Sequence, residues 1–299
     1  MGIDPGAIVD QRVGATGGVS LHVRGRALDA TGIPVLLVHG LASNARLWDG
    51  VAEHLAALGH PTAAVDQRGH GASDKPDGGY DFATLTADLV AVLEGMGWQP
   101  GSDRRPLVAG QSWGANVVLE LAARHPDATR GLALVDGGTI ELADRFADWP
   151  ACEAALAPPA LGHLRAGDFA RMLRNRHPDW PYSGIEATLA NVDVRPDGTI
   201  APWLSRSHHL TILRHLWEHH PSSRYHDVKV PVLLLPAGSA GSVARTDKGD
   251  EIGRAEAGLA VSVTRWMAGD HDLHAQHPAE VASLLHAAAV GSLFPPDSQ

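Results

Sequence analysis

A doubly wound, mostly parallel α/β sheet interrupted by a helical insertion is what this sequence predicts, on three observations. Short β-type runs alternate with amphipathic helical stretches through the first half of the chain, the pattern of strands paired in parallel through helical crossovers. That pattern breaks after Gly137-Gly138 and resumes near Val230. The chain has 299 residues, 44% of them hydrophobic, enough to bury one large core, so a single domain carrying an insertion is the expected organisation.

The elements follow in order. Strands are predicted over residues 19–23, 34–38, 62–65, 106–109 and 132–135, with helices over 47–58, 85–96 and 116–124, where apolar side chains recur at helical spacing. Such an alternation puts the working edge of the sheet at the carboxyl ends of its strands. Residues 138–226 hold short helical pieces, prolines and the tryptophans Trp149, Trp180, Trp203 and Trp217. A bare loop of that length is uncommon in a compact domain, so a helical cap over the sheet edge is expected. The division is then 1–137 for the first part of the core, 138–226 for the cap and 227–299 for the second part. After the cap come a strand over 230–235, a helix around 252–257, a strand over 261–266 and a closing helix over 278–289.

Charge and cysteine usage narrow the function classes. Against 34 Asp+Glu stand 24 Lys+Arg, a formal charge of -10, which repels polyphosphates and anionic membranes. A small-molecule substrate is expected, with no nucleic acid and no membrane as partner, while a homodimer is left open. Met1-Gly2-Ile3-Asp4-Pro5 lacks the basic and long apolar stretches of a secretory signal, and no apolar run approaches the roughly 20 residues of a bilayer span, so a cytoplasmic location is expected. The single cysteine, Cys152, forms no internal disulfide or thiolate metal site, and its Ala-rich surroundings lack the turn a nucleophile needs.

The chemistry begins at Gly110-Gln111-Ser112-Trp113-Gly114, which has the G-x-S-x-G spacing of a nucleophile elbow. A serine there occupies a strained strand-to-helix turn, and a β-carbon two places to either side would collide with neighbouring backbone. The context fits, with a predicted strand before it and a predicted helix after. Three further segments accompany the elbow: Leu37-Val38-His39-Gly40-Leu41, Asp66-Gln67-Arg68-Gly69-His70-Gly71-Ala72-Ser73 and Ala268-Gly269-Asp270-His271-Asp272-Leu273. In order and spacing these resemble the α/β-hydrolase family over nearly the whole chain outside the cap. The resemblance implies an α/β-hydrolase fold with a helical cap inserted after the sixth strand, and catalysis without a cofactor. For the substrate it is weakly specific.

The same resemblance distributes roles. Ser112 is the nucleophile and His271, just beyond the last predicted strand, its general base. The backbone N–H groups of Leu41 and Trp113 form the oxyanion hole. His39 braces its loop, Arg68, Gly69 and His70 form a structural turn, and His274 and His277 are a loop residue and a helix-start residue. Most relatives carry the triad acid after the strand that follows the cap, but Pro236-Ala237-Gly238-Ser239-Ala240-Gly241-Ser242 has no carboxylate. Asp136, directly after the strand that follows the nucleophile helix, matches the place used by some family members, including certain dehalogenases and lactonases. Asp247 and Asp250 are alternatives, as is a dyad with no acid.

The cap tryptophans, with Trp48 and Trp113 from the core side, suggest an apolar, aromatic-walled pocket, for which Trp48, His208, His209 and Trp217 are the candidate residues. His215 and His219 are four apart on a predicted helix, but no third ligand has fitting spacing, so no metal is expected. The function expected is hydrolysis of a carboxylic ester or lactone of a small hydrophobic or aromatic molecule through an acyl-enzyme on Ser112. Cleavage of a carbon–carbon bond in a diketone by the same triad is the alternative, and a low-turnover ligand-binding member of the fold is another. Epoxide hydrolase and haloalkane dehalogenase chemistry are disfavoured, because those relatives carry aspartate where this chain has Ser112.

Overall fold

The computed structural model describes residues 7–238 and 247–294. Ten strands occur among them: β1 (Val9–Gly14), β2 (Ser20–Arg26), β3 (Val35–Val38), β4 (Thr62–Val65), β5 (Leu107–Gln111), β6 (Gly131–Val135), β7 (Val192–Val194), β8 (Ile200–Pro202), β9 (Val232–Leu235) and β10 (Ser262–Thr264). Eight form one sheet in the order β1-β2-β4-β3-β5-β6-β9-β10, and β7 and β8 pair separately. The β1–β2 and β2–β4 pairings are antiparallel and the rest of the large sheet is parallel. The expected mostly parallel, doubly wound sheet is present. Its first strand was not expected: β1 lies on the sheet edge with only Val13 fully buried, so its sequence lacks a strong apolar alternation.

Why these segments are strands shows in how their side chains divide. Residues 35–38 read Val-Leu-Leu-Val and all four are buried, as in a parallel strand covered on both faces. Leu36 and Val38 join one core with α2 (Phe82–Gly95) and α3 (Trp113–Arg124), whereas Val35 and Leu37 join a second core with α1 (Asp49–Ala57) and the closing helix (Pro278–Ala289). The carboxylate of Asp81 starts α2 by accepting from the Thr84 N–H at 2.9 Å, an N-cap that satisfies one orphan donor. Because α1 follows β3 onto one face and α3 follows β5 onto the other, the ends of β3 and β5 form the switch point at which such sheets bind ligands.

Between β6 and β9 come α4 (Leu142–Arg145), α5 (Trp149–Leu156), α6 (Ala166–Arg176), α7 (Tyr182–Leu189), the β7–β8 hairpin and α8 (Arg206–Trp217). The hairpin departs from the all-helical expectation. Pro196-Asp197-Gly198 makes its turn, with Gly198 at φ 82° and the Asp197 carboxylate accepting from the Thr199 N–H at 2.9 Å. Phe169, Leu173, Trp180, Ile185 and Ile200 pack into a third core with Leu47 and Ala275 of the main body. Beyond β9 follow α9 (Asp247–Gly258), β10, the short α10 (Leu273–Gln276) and α11 (Pro278–Ala289). Among the described residues no helix is long and apolar enough to cross a membrane.

Candidate active site

The elbow joins β5 to α3. Ser112 has φ 53° and ψ -125°, a left-handed conformation that costs a residue with a side chain on the order of 1–3 kcal/mol. Its neighbours impose it: the Ser112 N–H donates to the Val135 carbonyl at 3.0 Å, and the Ser112 carbonyl accepts from the Ala115 N–H at 2.9 Å. A β-carbon on Gly110 would stand 2.4 Å from the Gly114 carbonyl oxygen, and one on Gly114 would stand 2.3 Å from that of His39. Both glycines are therefore required by crowding, without being left-handed themselves. Gly137 is held by the same constraint, 2.2 Å from the Ser112 carbonyl oxygen.

Asp136 stands at the end of β6 with φ 42°. Its Oδ2 lies 2.6 Å from His271 Nδ1, so the expected contact between the two side chains is present. An ionised carboxylate only accepts, so Nδ1 carries the proton and Nε2 is left as the basic lone pair. Burial opposes charge on Asp136, but the hydrogen bonds and charges of His271 and Lys248 outweigh it and hold the carboxyl below its ordinary range. For His271 burial works downward, and the hydrogen bond and charge of Asp136 overcome it, leaving the imidazole above its ordinary 6.5. The His271 carbonyl accepts from Gln111 Nε2 at 3.1 Å, which ties the histidine loop to the elbow. No hydrogen bond joins Ser112 Oγ to His271 among the described residues; such contacts tighten when substrate binds. Asp250 is exposed on α9 and is not on the imidazole. The side chain of Asp247 and residues 239–246 lie outside the described residues.

Leu41 follows Gly40 after β3, and Trp113 opens α3, where the first N–H groups of the helix have no intrahelical partner and the dipole is positive. His70, read from the sequence as part of a turn, lies under this loop. Its Nε2 accepts from the Ala42 N–H at 3.2 Å, its Nδ1 donates to the Arg68 carbonyl at 3.0 Å, and its ring stacks on Trp113 with centroids 5.5 Å apart. Burial, then the neighbouring His39, push His70 down to about 3, so it stays neutral. His39 braces the loop through Gln67, whose N–H donates to Nε2 at 3.0 Å. Buried Asp66 accepts from the Ala45 and Ala72 N–H groups at 2.7 and 2.9 Å, holding the loops after β3 and β4 on one carboxylate.

A cleft of about 680 Å³ opens beside these loops. It reaches Ala42 and His70 and is walled by Leu156, Leu161, Phe169, Val192, Trp203 and Leu204, while Ser112 and His271 are not among its walls. Of the pocket residues expected from sequence, His209 lines it and the other three do not. Trp48 is fully buried against His274, with ring centroids 4.3 Å apart, because the turn that carries it leads into α1 and the core on that face of the sheet. Trp217 packs edge-on to Trp149 at 6.2 Å with the Arg214 guanidinium 4.8 Å from its ring, at the opposite end of α8 from Arg206 and His209, which line the cleft. His208 faces Tyr80 at 5.2 Å and Asp77 at 3.8 Å, since α8 sends adjacent residues in different directions. His219, weighed as a metal ligand, is engaged with Asn116 and Glu120 at 3.0 and 3.1 Å.

Known proteins resemble this chain in sequence and fold. A family model described as alpha/beta hydrolase fold matches residues 33–180. The 2-(acetamidomethylene)succinate hydrolase of Mesorhizobium japonicum is 26% identical over 240 residues, 78% of this chain and 81% of that one. Epoxide hydrolase A of Mycobacterium tuberculosis is 37% identical over 116 residues, covering 37% of this chain and 34% of its own. Among solved structures, E-2-(acetamidomethylene)succinate hydrolase matches with a TM-score of 0.72 at 23% identity, over 95% of this chain and 100% of that one. The thioesterase domain from the curacin biosynthetic pathway matches with a TM-score of 0.71 at 19% identity, over 94% and 99%. At these identities the structural likeness is one of fold. Taken with the sheet order and the strained serine, the matches mean that the chain belongs to the α/β-hydrolase family.

Proposed function

We propose that this protein is a serine hydrolase that cleaves a carboxylic ester or lactone of a small hydrophobic or aromatic molecule through an acyl-enzyme on Ser112. The observation that carries the reading is the 2.6 Å contact between Asp136 Oδ2 and His271 Nδ1, on a loop tied to the serine elbow. His271 Nε2 takes the Ser112 proton as Oγ adds to the acyl carbon, and Asp136 stabilises the imidazolium. The N–H groups of Leu41 and Trp113 hold the tetrahedral oxyanion, a donor of this kind being worth about 3 kcal/mol. Collapse sends the imidazolium proton to the leaving oxygen. Water then adds to the acyl-enzyme, giving its proton to His271, and the acid departs as Ser112 regains its hydrogen. The apolar walls of the cleft support a hydrophobic substrate. The relative named for hydrolysing 2-(acetamidomethylene)succinate, matched over 78% of the chain, supports hydrolysis as the reaction class.

A fluorophosphonate is expected to label Ser112, and a substrate panel of aryl esters, lactones and vinylogous diketones to be turned over at its ester or lactone members. Ser112→Ala is expected to keep the circular dichroism of the parent and lose all but about a hundredth or less of the turnover, as loss of a triad nucleophile costs several orders of magnitude. Faster cleavage of the diketones would move the reading to carbon–carbon hydrolysis. Tight binding of panel members with neither labelling nor turnover would move it to a ligand-binding member of the fold.

A further inference from the structure

Asp136 makes more contacts than orienting one imidazole requires. Its Oδ1 accepts from the Ala237 N–H at 2.8 Å and from Lys248 Nζ at 2.8 Å, and the same ammonium donates to the Ala237 carbonyl at 3.2 Å. Oδ2 is thereby left to His271, and rotating the carboxylate would break both bonds to Oδ1. Lys248 belongs to the first turn of α9; its side chain is 35% exposed, whereas that of Asp136 is 4% exposed. The ammonium thus reaches inward from the solvent edge to a carboxylate with almost no water of its own.

We propose that Lys248 is a positioning residue for the Asp136–His271 pair, fixing the carboxylate through Oδ1 and trimming, by its charge, the basicity that Asp136 confers on the imidazole. This rests on the reading of Ser112, His271 and Asp136 as a triad. A carboxylate on Nδ1 raises the imidazole pKa, and a base held too high stays protonated at neutral pH. Asp136, facing His271 from the end of β6, and Asp272, on its own loop, both lean that way, while Asp270 on the same loop is engaged with His177 at the end of α6 at 3.0 Å. His274, behind it, is pushed down to about 3 by burial and then by His271 and His39, and brings no charge. Arg145 and Glu251 line the same small cavity of about 140 Å³ as Lys248 and His271, but engage each other at 2.8 and 2.7 Å. Among these groups Lys248 is the permanent cation bound to the acid.

The rate of fluorophosphonate labelling of Ser112 against pH reads the acid limb of His271 without knowledge of the substrate. In Lys248→Met the limb is expected to move to higher pH by about half a unit or more, and the plateau rate to fall by about tenfold, as a misplaced orienting group costs up to about a hundredfold. Lys248→Arg is expected to return the limb to its parent position. Should Lys248→Met not fold, Lys248→Gln, which can still donate to Oδ1 but is uncharged, carries the same expected shift. An unchanged limb and plateau, a limb moved to lower pH, or a lowered Tm as the only change would overturn the proposal. Labelling that survives Ser112→Ala overturns the triad reading and this proposal with it, an outcome distinct from an unshifted Lys248→Met.

Discussion

In the proposed mechanism His271 takes the Ser112 proton, which an imidazole can do only while it is neutral, so the pH at which His271 loses its charge is expected to set where activity begins. Asp136 outweighs burial and lifts that pH above 6.5, and activity is expected to rise as pH increases through this higher value. Asp136→Asn removes the lift, so the acid limb moves to lower pH, opposite to the shift expected for Lys248→Met. The amide can also hold Nδ1 unprotonated, and kcat is expected to fall by orders of magnitude with KM near that of the parent, as steady-state kinetics on an ester from the panel would measure. Ser112 and His271 were legible because each sits in a short local string. Asp136 was legible because the commoner acid position was empty. Lys248 was not, since it meets Asp136 across 112 positions, and which way the first turn of a helix points cannot be read before its loop is placed.

At the level of elements, α3 does more than follow the serine. Asn116, fully buried on it, accepts from the Gly138 N–H at 2.9 Å, donates to the Ile140 carbonyl at 3.0 Å and bonds His219 Nδ1 at 3.0 Å. Both ends of the insertion are therefore fastened to the nucleophile helix through one amide. Asn116→Ala strands a buried N–H and a buried ring nitrogen, and is expected to cost about 3 kcal/mol, seen as a Tm lowered by several degrees with the far-ultraviolet spectrum retained. The strands β3, β4, β5, β6 and β9 were readable because every residue in them is buried and their sequences are largely apolar. The closing helix, expected over 278–289, is observed as Pro278–Ala289. The β7–β8 hairpin was hidden by its three-residue strands, although Pro196-Asp197-Gly198 carried the turn signal. The pocket wall was misread at Trp48 because composition does not say which face of the sheet a tryptophan serves.

For the whole molecule, the insertion is also latched on the side of the histidine loop. Asp270 Oδ2 accepts from Trp180 Nε1 at 3.1 Å and faces His177 Nδ1 at 3.0 Å, and Gln276 bonds Asp179. Asp270→Ala is expected to raise deuterium uptake across α6 and α7 while leaving α2 unchanged; equal uptake in both proteins would mean that the apolar core of Leu47, Phe169, Trp180 and Ala275 seats this segment alone. A different consequence follows from where the insertion lies. The strands β6 and β9 are neighbours in the sheet, yet the ribosome must make everything from 136 to 231 between them. Through that interval β6, all five residues of which are buried in the finished sheet, has β5 on one edge and nothing from its own chain on the other. At 5–20 residues per second the wait is on the order of ten seconds, very long beside the microseconds of chain collapse. A bare apolar edge is a template for another nascent chain. Placing the insertion between adjacent strands thus lengthens the time for which this edge of β6 stays open during synthesis, whatever the stability of the finished fold.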